Sequence, residues 1–198
     1  MKKILFALVL GAALLTGCKS QQGAGGNAQS ALDVIMTRTS IRAFTGEPVS
    51  RDQLETILKA GMAAPTGMNA QPWRFVVLTD QAKIKEIFGS GFRSEMYTTA
   101  GAVIVVCGEA ETDGRPNMFW YEDCSAAAEN ILLAAHALGL GAVWTAGYPA
   151  VDRTAPTSEA LGIPSNVLPL CIIPLGVPAE NPDPKDKWDP GKIHWEKW

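Results

Sequence analysis

Within Arg38-Thr39-Ser40-Ile41-Arg42, two arginines flank a serine, which puts two guanidiniums and a hydroxyl close enough together to grip a phosphate or another anion. Arginine suits that task because its planar fork of N–H donors makes paired, charge-assisted contacts. The same residues are also compatible with a solvated helix end, where cations favour the negative pole of the helix. A second cationic pair, Lys185 and Lys187, sits in the proline-stiffened run Pro184-Lys185-Asp186-Lys187 and reads either as a phosphate contact or as solvated charge. The stretch Pro65–Trp73 reads Pro-Thr-Gly-Met-Asn-Ala-Gln-Pro-Trp. Its prolines leave the loop little freedom, and Thr66, Asn69 and Gln71 supply a hydroxyl and two carboxamides that both donate and accept. Such a loop could read the edge of a planar, heteroatom-rich ligand, or its amides could simply satisfy its own backbone. A turn of small residues, Ala146-Gly147-Tyr148-Pro149, would let a ligand approach backbone N–H and C=O groups.

Other chemistries find little support. The chain has no GxSxG, HExxH or Walker A pattern and no Cys/His spacing suited to zinc. Setting Cys18 aside, Cys107 and Cys171 lie in apolar strand-like runs and read as small buried hydrophobes, and the odd count leaves at least one thiol free. His136 lacks a metal-ligand partner one helical turn away, and His194 lies among tail aromatics; neither reads as catalytic. With 198 residues, a net charge of −3, 47% hydrophobic and 19% charged residues, the chain suits one compact domain. It carries no basic run, which argues against nucleic acid as a partner.

The elements that must position these residues follow from period and caps. Ser30 can cap a helix running to about Arg38 with Leu32, Ile35 and Met36 on one face, and Ser50 with Gln53 has capping-box spacing for a helix leading into the Pro65 loop. A strand over Phe75–Leu78 is followed by a helix that Asp80 can cap, through Phe88. Gly89–Thr99 gives no clear pattern. Ala102–Val106 is apolar and β-branched, as expected of a strand buried on both faces. From Phe119 to Leu138 a long helix has almost no polar face in its second half, which places it in a large core or at a subunit interface. A strand over Ala142–Thr145 and a short helix closed by Leu161-Gly162-Ile163-Pro164 come next. In the last strand, Val167–Gly176, Pro169 and Pro174 favour an edge position or a bend. Trp188, Trp195 and Trp198 argue that the tail packs onto the body.

The first residues stand apart. Lys2-Lys3 followed by Ile4–Leu15 has the charged and apolar regions of an export signal, and Leu15-Thr16-Gly17-Cys18 resembles the lipobox of bacterial lipoproteins. That resemblance implies a signal over 1–17, lipidation of Cys18, a flexible tether over 18–29 rich in Gly, Gln, Ser and Asn, and a folded domain over 30–198. The protein is then expected to be exported and anchored by lipid to a bacterial membrane, the other reading being an ordinary secretory signal.

Four dispersed motifs in a fixed order, RTSIR, APTGMNAQPW, DCSAAAENILLAAHALGLGAVW and PLGVPAENPDPKDK, resemble the FMN-dependent nitroreductase family from about Ala31 to the C-terminus. The resemblance implies an α+β fold with a mixed sheet flanked by helices, built as an intertwined homodimer with FMN at the subunit interface. It implies that Arg38 and Ser40 face the phosphate and ribityl end, with Thr39 also among the cofactor-binding residues, Arg42 nearer the flavin N1/O2 edge and Lys185 and Lys187 at the phosphate. Pro65, Thr66, Asn69 and Gln71 would approach the flavin across the dimer, and Trp144, Thr145, Ala146 and Gly147 would lie along the ring near N5. The implied reaction is ping-pong transfer of hydride or electrons through flavin N5 to a nitroaromatic, a quinone or a similar small acceptor, with no residue acting as general base or nucleophile. NADH or NADPH is the usual donor in the family, and export would make a membrane quinol or a protein partner the alternative. A flavin-fragmenting or dehalogenating relative, or a surface lipoprotein that binds flavin without turnover, are the competing readings.

Overall fold

A computed structural model of the protein describes residues 30–198, Phe92 excepted. The expected signal, the tether and Cys18 therefore lie outside the described residues. Among the described residues six α-helices form: α1 (Ala31–Thr37), α2 (Arg51–Met62), α3 (Gln81–Phe88), α4 (Glu95–Thr98), α5 (Trp120–Ala137) and α6 (Val151–Leu161). The strands are β1 (Trp73–Leu78), β2 (Ala102–Glu109), β3 (Glu111–Thr112), β4 (Arg115–Pro116), β5 (Gly141–Ala142), β6 (Thr145–Ala146) and β7 (Val167–Gly176). The architecture is α+β. The main sheet runs β1-β2-β7-β5, with β6 also on β7, and its ladders are antiparallel. Parallel pairing enters through the single bridge Ser40–Ala142.

Local signals start the helices as expected. Ser50 and Gln53 close a capping box on α2, and the Asp80 carboxylate accepts from the Ala82 and Lys83 N–H groups at the head of α3. Both faces of β2 are buried, which is why it reads as a continuous apolar run. Ala102, Ile104 and Val106 face a core built with α2 and α5, while Val103, Val105 and Cys107 face Ile84 and Phe88 of α3. α5 buries Cys124, Ala127, Ala128, Ile131, Leu132 and Ala135 along one stripe. Gly61 of α2 lets the two helices close up, since a Cβ there would sit 2.9 Å from Ile131 Cγ1.

Three expectations are corrected. Of the two readings offered for β7, the edge position falls, because the strand is interior, flanked by β2 on one side and by β5 and β6 on the other, while the bend agrees with an irregularity at Pro169. Its prolines are accommodated because the ladder shifts register opposite Val106 and Cys107, beside Pro169. The carbonyl of Pro174 accepts from Val143, so the N–H that Pro174 lacks faces the break between β5 and β6. That break is the second correction, because Ala142–Thr145 is two short pairings rather than one strand. Third, Trp188, Trp195 and Trp198 do not pack onto the body; they are 73%, 80% and 98% exposed, and Trp198 stacks on His194. On α1, Val34 is buried, and Leu32, Ile35 and Met36 share an exposed face on this chain. The tail beyond Ala179 makes no strand pairing that would press it against the core.

Candidate functional site

Where α1 ends, the chain becomes extended and runs along the sheet edge. Ser40 bridges Ala142, and the Ile41 N–H donates to the Ala142 carbonyl at 3.1 Å. Alternation along this extended stretch sends Ile41 into a small core with Phe44, Met96, Ala100 and Val143 and leaves Arg42 exposed. The residues after β7 return beside the same segment. Thr45 N–H donates to Val177 O at 3.0 Å, and Ala179 N–H donates to Ala43 O at 2.9 Å. These bonds deliver the proline-rich tail to the end of α1.

The result is a cavity of about 330 Å³ with Arg38, Thr39, Ser40 and Arg42 on one wall and Glu180, Pro182, Asp183, Lys185 and Lys187 on the other. Four cations face two carboxylates there, a donor set with a net positive field suited to a multiply charged anion. Arg38 is the best-held of the four. Its side chain is only 18% exposed, it caps the C-terminus of α1, and its Nε lies 3.5 Å from Glu129 Oε1 on α5. Arg42 also lines a second cavity of about 550 Å³, shared with Ala43, Phe44, Met96, Thr99 and Ala179. The two cavities thus meet at one guanidinium, a polar end beside a more apolar one.

The Pro65 loop lines neither cavity on this chain. It is tied to the head of α5, where Gly67 N–H donates to Asp123 Oδ1 at 2.9 Å, and Asp123 is buried with Oδ2 unpartnered. Within the loop, Gln71 Nε2 donates to Asn69 Oδ1 at 2.8 Å, and Gln71 N–H donates to Thr66 Oγ1 at 3.3 Å. Met68, Asn69 and Gln71 all hold positive φ angles, of 51°, 57° and 49°. Only asparagine among these adopts that region readily, so the loop stores backbone strain.

The turn after β6 is also closely packed. A Cβ on Gly147 would meet Leu170 O at 2.8 Å and Thr154 Cγ2 at 2.9 Å, so the glycine is needed for contact with the protein's own strand. Thr145 Oγ1 donates to Ile172 O at 2.6 Å and accepts from the Tyr97 hydroxyl at 2.9 Å. Burial pushes the Tyr97 phenol up, with the Thr145 bond opposing. Trp144 packs partly buried against the main core.

Sequence reasoning joined Arg38, Ser40 and Arg42 with Lys185 and Lys187, and these meet in one cavity. It missed Glu180, although that residue stands inside the quoted closing motif; nothing local sets it apart from Asp183 and Asp186 in the same run. It also missed Asp123 and Tyr97, the latter inside a stretch without periodic pattern. Among the described residues no cluster of His, Cys, Asp and Glu is arranged for a metal ion.

The nitroreductase family model matches residues 35–90 and 88–177. A protein of Methanothermobacter thermautotrophicus, provisionally named NADH dehydrogenase/NAD(P)H nitroreductase, is 42% identical over 167 residues, spanning 84% of this chain and 87% of its own length. A solved structure provisionally given the same name, from Bacteroides thetaiotaomicron, superposes with a TM-score of 0.80 at 44% identity, covering 86% of this chain and 99% of the other. A protein of Desulfovibrio desulfuricans, provisionally named a nitroreductase and solved in complex with FMN, superposes with a TM-score of 0.74 at 31% identity, covering 86% of this chain and 98% of the other.

Proposed function

This chain belongs to the nitroreductase family, and from that premise we propose that it is an FMN-dependent oxidoreductase that passes hydride or electrons from a donor to a nitroaromatic, a quinone or a similar small acceptor. The observation that carries the reading is the cavity in which Arg38, Ser40 and Arg42 meet Lys185 and Lys187. A phosphate monoester dianion needs several cations or N–H donors, and this cavity supplies four cations and two hydroxyls. Bound FMN supplies the redox chemistry at N5, and the protein supplies binding, orientation and charge.

Arg38, held by Glu129 and the end of α1, fixes the phosphate end; Lys185 and Lys187 close over it from the tail. Arg42, between the two cavities, would set a positive charge beside a bound flavin and so favour its reduction. The strained Pro65 loop, in which the two carboxamides share one bond and keep further donors and acceptors, would reach the cofactor of a second copy in a homodimer. Exposed Leu32, Ile35 and Met36 on α1 suit such an interface. Donor and acceptor would use the bound flavin in turn, which would make the kinetics ping-pong.

The lipobox at Leu15–Cys18 supports lipid anchoring of the mature protein at Cys18. Labelling cells with a palmitate analogue checks it: the Cys18→Ser protein should lose the label, and retention of label would refute the anchor. For the activity, the test is the visible spectrum of the purified protein, then anaerobic titration with NADH, NADPH and a quinol and reoxidation by a quinone or nitroaromatic. Oxidised-flavin absorbance that one of the donors bleaches is expected. Protein that takes up no FMN after incubation with it would sink the proposal.

A further inference from the structure

Glu180 is an acid in the wall of a cavity whose purpose, on the reading above, is to hold an anion. Its carboxylate is engaged with the main chain: Oε1 accepts from the N–H groups of Arg42 and Ala43, the latter at 3.1 Å. The placement has a local cause. The pairing between the tail and the Ala43–Thr45 segment stops at Ala179, whose N–H goes to Ala43 O, and the chain then departs through Pro182 and Pro184. Past that point the tail offers the Arg42 and Ala43 N–H groups no carbonyl, and the Glu180 side chain takes its place. One oxygen accepting two main-chain donors is a charge-assisted clasp between two segments far apart in sequence.

The clasp has two effects. It fixes the backbone from which the Arg42 side chain departs, and it anchors the tail just before Lys185 and Lys187. It also sets a negative charge beside Arg42 on the cavity wall, where it offsets part of the guanidinium field.

We propose that Glu180 is a positioning residue for the cofactor wall: its carboxylate clasps the Arg42–Ala43 main chain to hold Arg42 and the lysine-bearing tail in register, and its charge tempers the cation at the reducible ring. The proposal rests on FMN being the ligand. Glutamine at this position keeps a carbonyl oxygen for both N–H groups and removes the charge; alanine removes both; aspartate keeps the charge with a shorter reach. The variants Glu180→Gln, Glu180→Ala and Glu180→Asp therefore separate clasp from charge.

The measurements are FMN affinity by fluorescence titration, the midpoint potential of the bound flavin, and the rate of trypsin cleavage after Lys185 and Lys187 in FMN-free full-length protein. Glu180→Gln is expected to keep the wild-type cleavage rate and to move the midpoint potential positive. Glu180→Ala is expected to lose FMN affinity about tenfold, the equivalent of one charged hydrogen bond, and to be cleaved faster; Glu180→Asp should fall between. Unchanged affinity and cleavage in Glu180→Ala, or in Glu180→Asp if the alanine variant does not fold, would overturn the clasp. An unchanged potential in Glu180→Gln would overturn the charge role. If the wild-type protein binds no FMN, the functional reading fails, while the cleavage rates still decide the clasp.

Discussion

The hydroxyl of Tyr97 donates to Thr145 Oγ1 at 2.9 Å, and Thr145 in turn donates to the Ile172 carbonyl at 2.6 Å, so a residue from the short helix α4 is hydrogen-bonded through β6 to the interior strand β7. The Tyr97 ring also stacks on Phe88 at 4.9 Å. Replacing Tyr97 by Phe removes the bond and keeps the stack. It should cost about 0.5–1.5 kcal/mol in urea unfolding, and Tyr97→Ala should cost more because the ring contact goes as well. Equal losses in the two variants would mean that the ring contact contributes nothing, and wild-type stability in Tyr97→Phe that the hydroxyl bond contributes nothing.

Arg38 is largely shielded and already oriented by Glu129. Arg38→Ala should weaken FMN retention by about 1.5–3 kcal/mol, the cost of a charged hydrogen bond lost. Lys185→Ala and Lys187→Ala should each cost less, since both side chains stand in solvent. Fluorescence titration of FMN into the variants ranks them; an Arg38→Ala protein with wild-type affinity would remove Arg38 from the site.

Gly108 lets β2 approach α5 closely. A Cβ there would sit 2.6 Å from Trp120 Cε3 and 2.7 Å from Cys124 Sγ, with both partners locked in the core. Gly108→Ala should destabilise the protein by about 1–3 kcal/mol through overpacking. Denaturant midpoints at constant slope measure it.

The three described cysteines are free and buried. Burial pushes the Cys107 and Cys124 thiols up to about 12, and Cys171 higher still. At pH 8 they are protonated and shielded, and so poor nucleophiles. In a Cys18→Ser protein, a thiol reagent should label none of them in the native state and all of them in denaturant; prompt native labelling would show that the core opens.

His136 Nε2 lies 2.9 Å from Thr37 Oγ1, and burial, assisted by Arg38, holds its pKa below the usual histidine value. The unfolded chain therefore binds a proton more readily than the folded one. As pH falls from the unfolded histidine value, about 6.5, through the depressed folded value, stability is lost; above that window it is intact. His136→Gln should flatten the slope of Tm against pH between pH 7 and 5, and an unchanged slope would assign the loss to carboxylates.

Caps and periods were legible because each depends on neighbours within one helical turn or one strand repeat. Ser50 with Gln53, Asp80, the buried run of β2 and the apolar stripe of α5 all follow from that short range. The chemistry of the site was legible for the same reason, since Arg38 and Arg42 lie on one short extended segment and Lys185 and Lys187 on another.

What joins those segments was not legible. The strand order decides that β7 is interior despite Pro169 and Pro174, because the missing N–H groups can be directed only once the neighbouring strands are placed. The fate of the tail tryptophans depends on a surface that no local pattern specifies, and on this chain they stand exposed. The sequence by itself determined the helices other than α4, the buried strand and the cationic residue types, all set by contacts between near neighbours. Only the tertiary structure decided that the tail returns beside Ala43, that Lys185 and Lys187 complete a cavity begun at Arg38, and that Glu180 clasps Arg42, because those contacts are chosen by sheet order and chain reversal across most of the molecule.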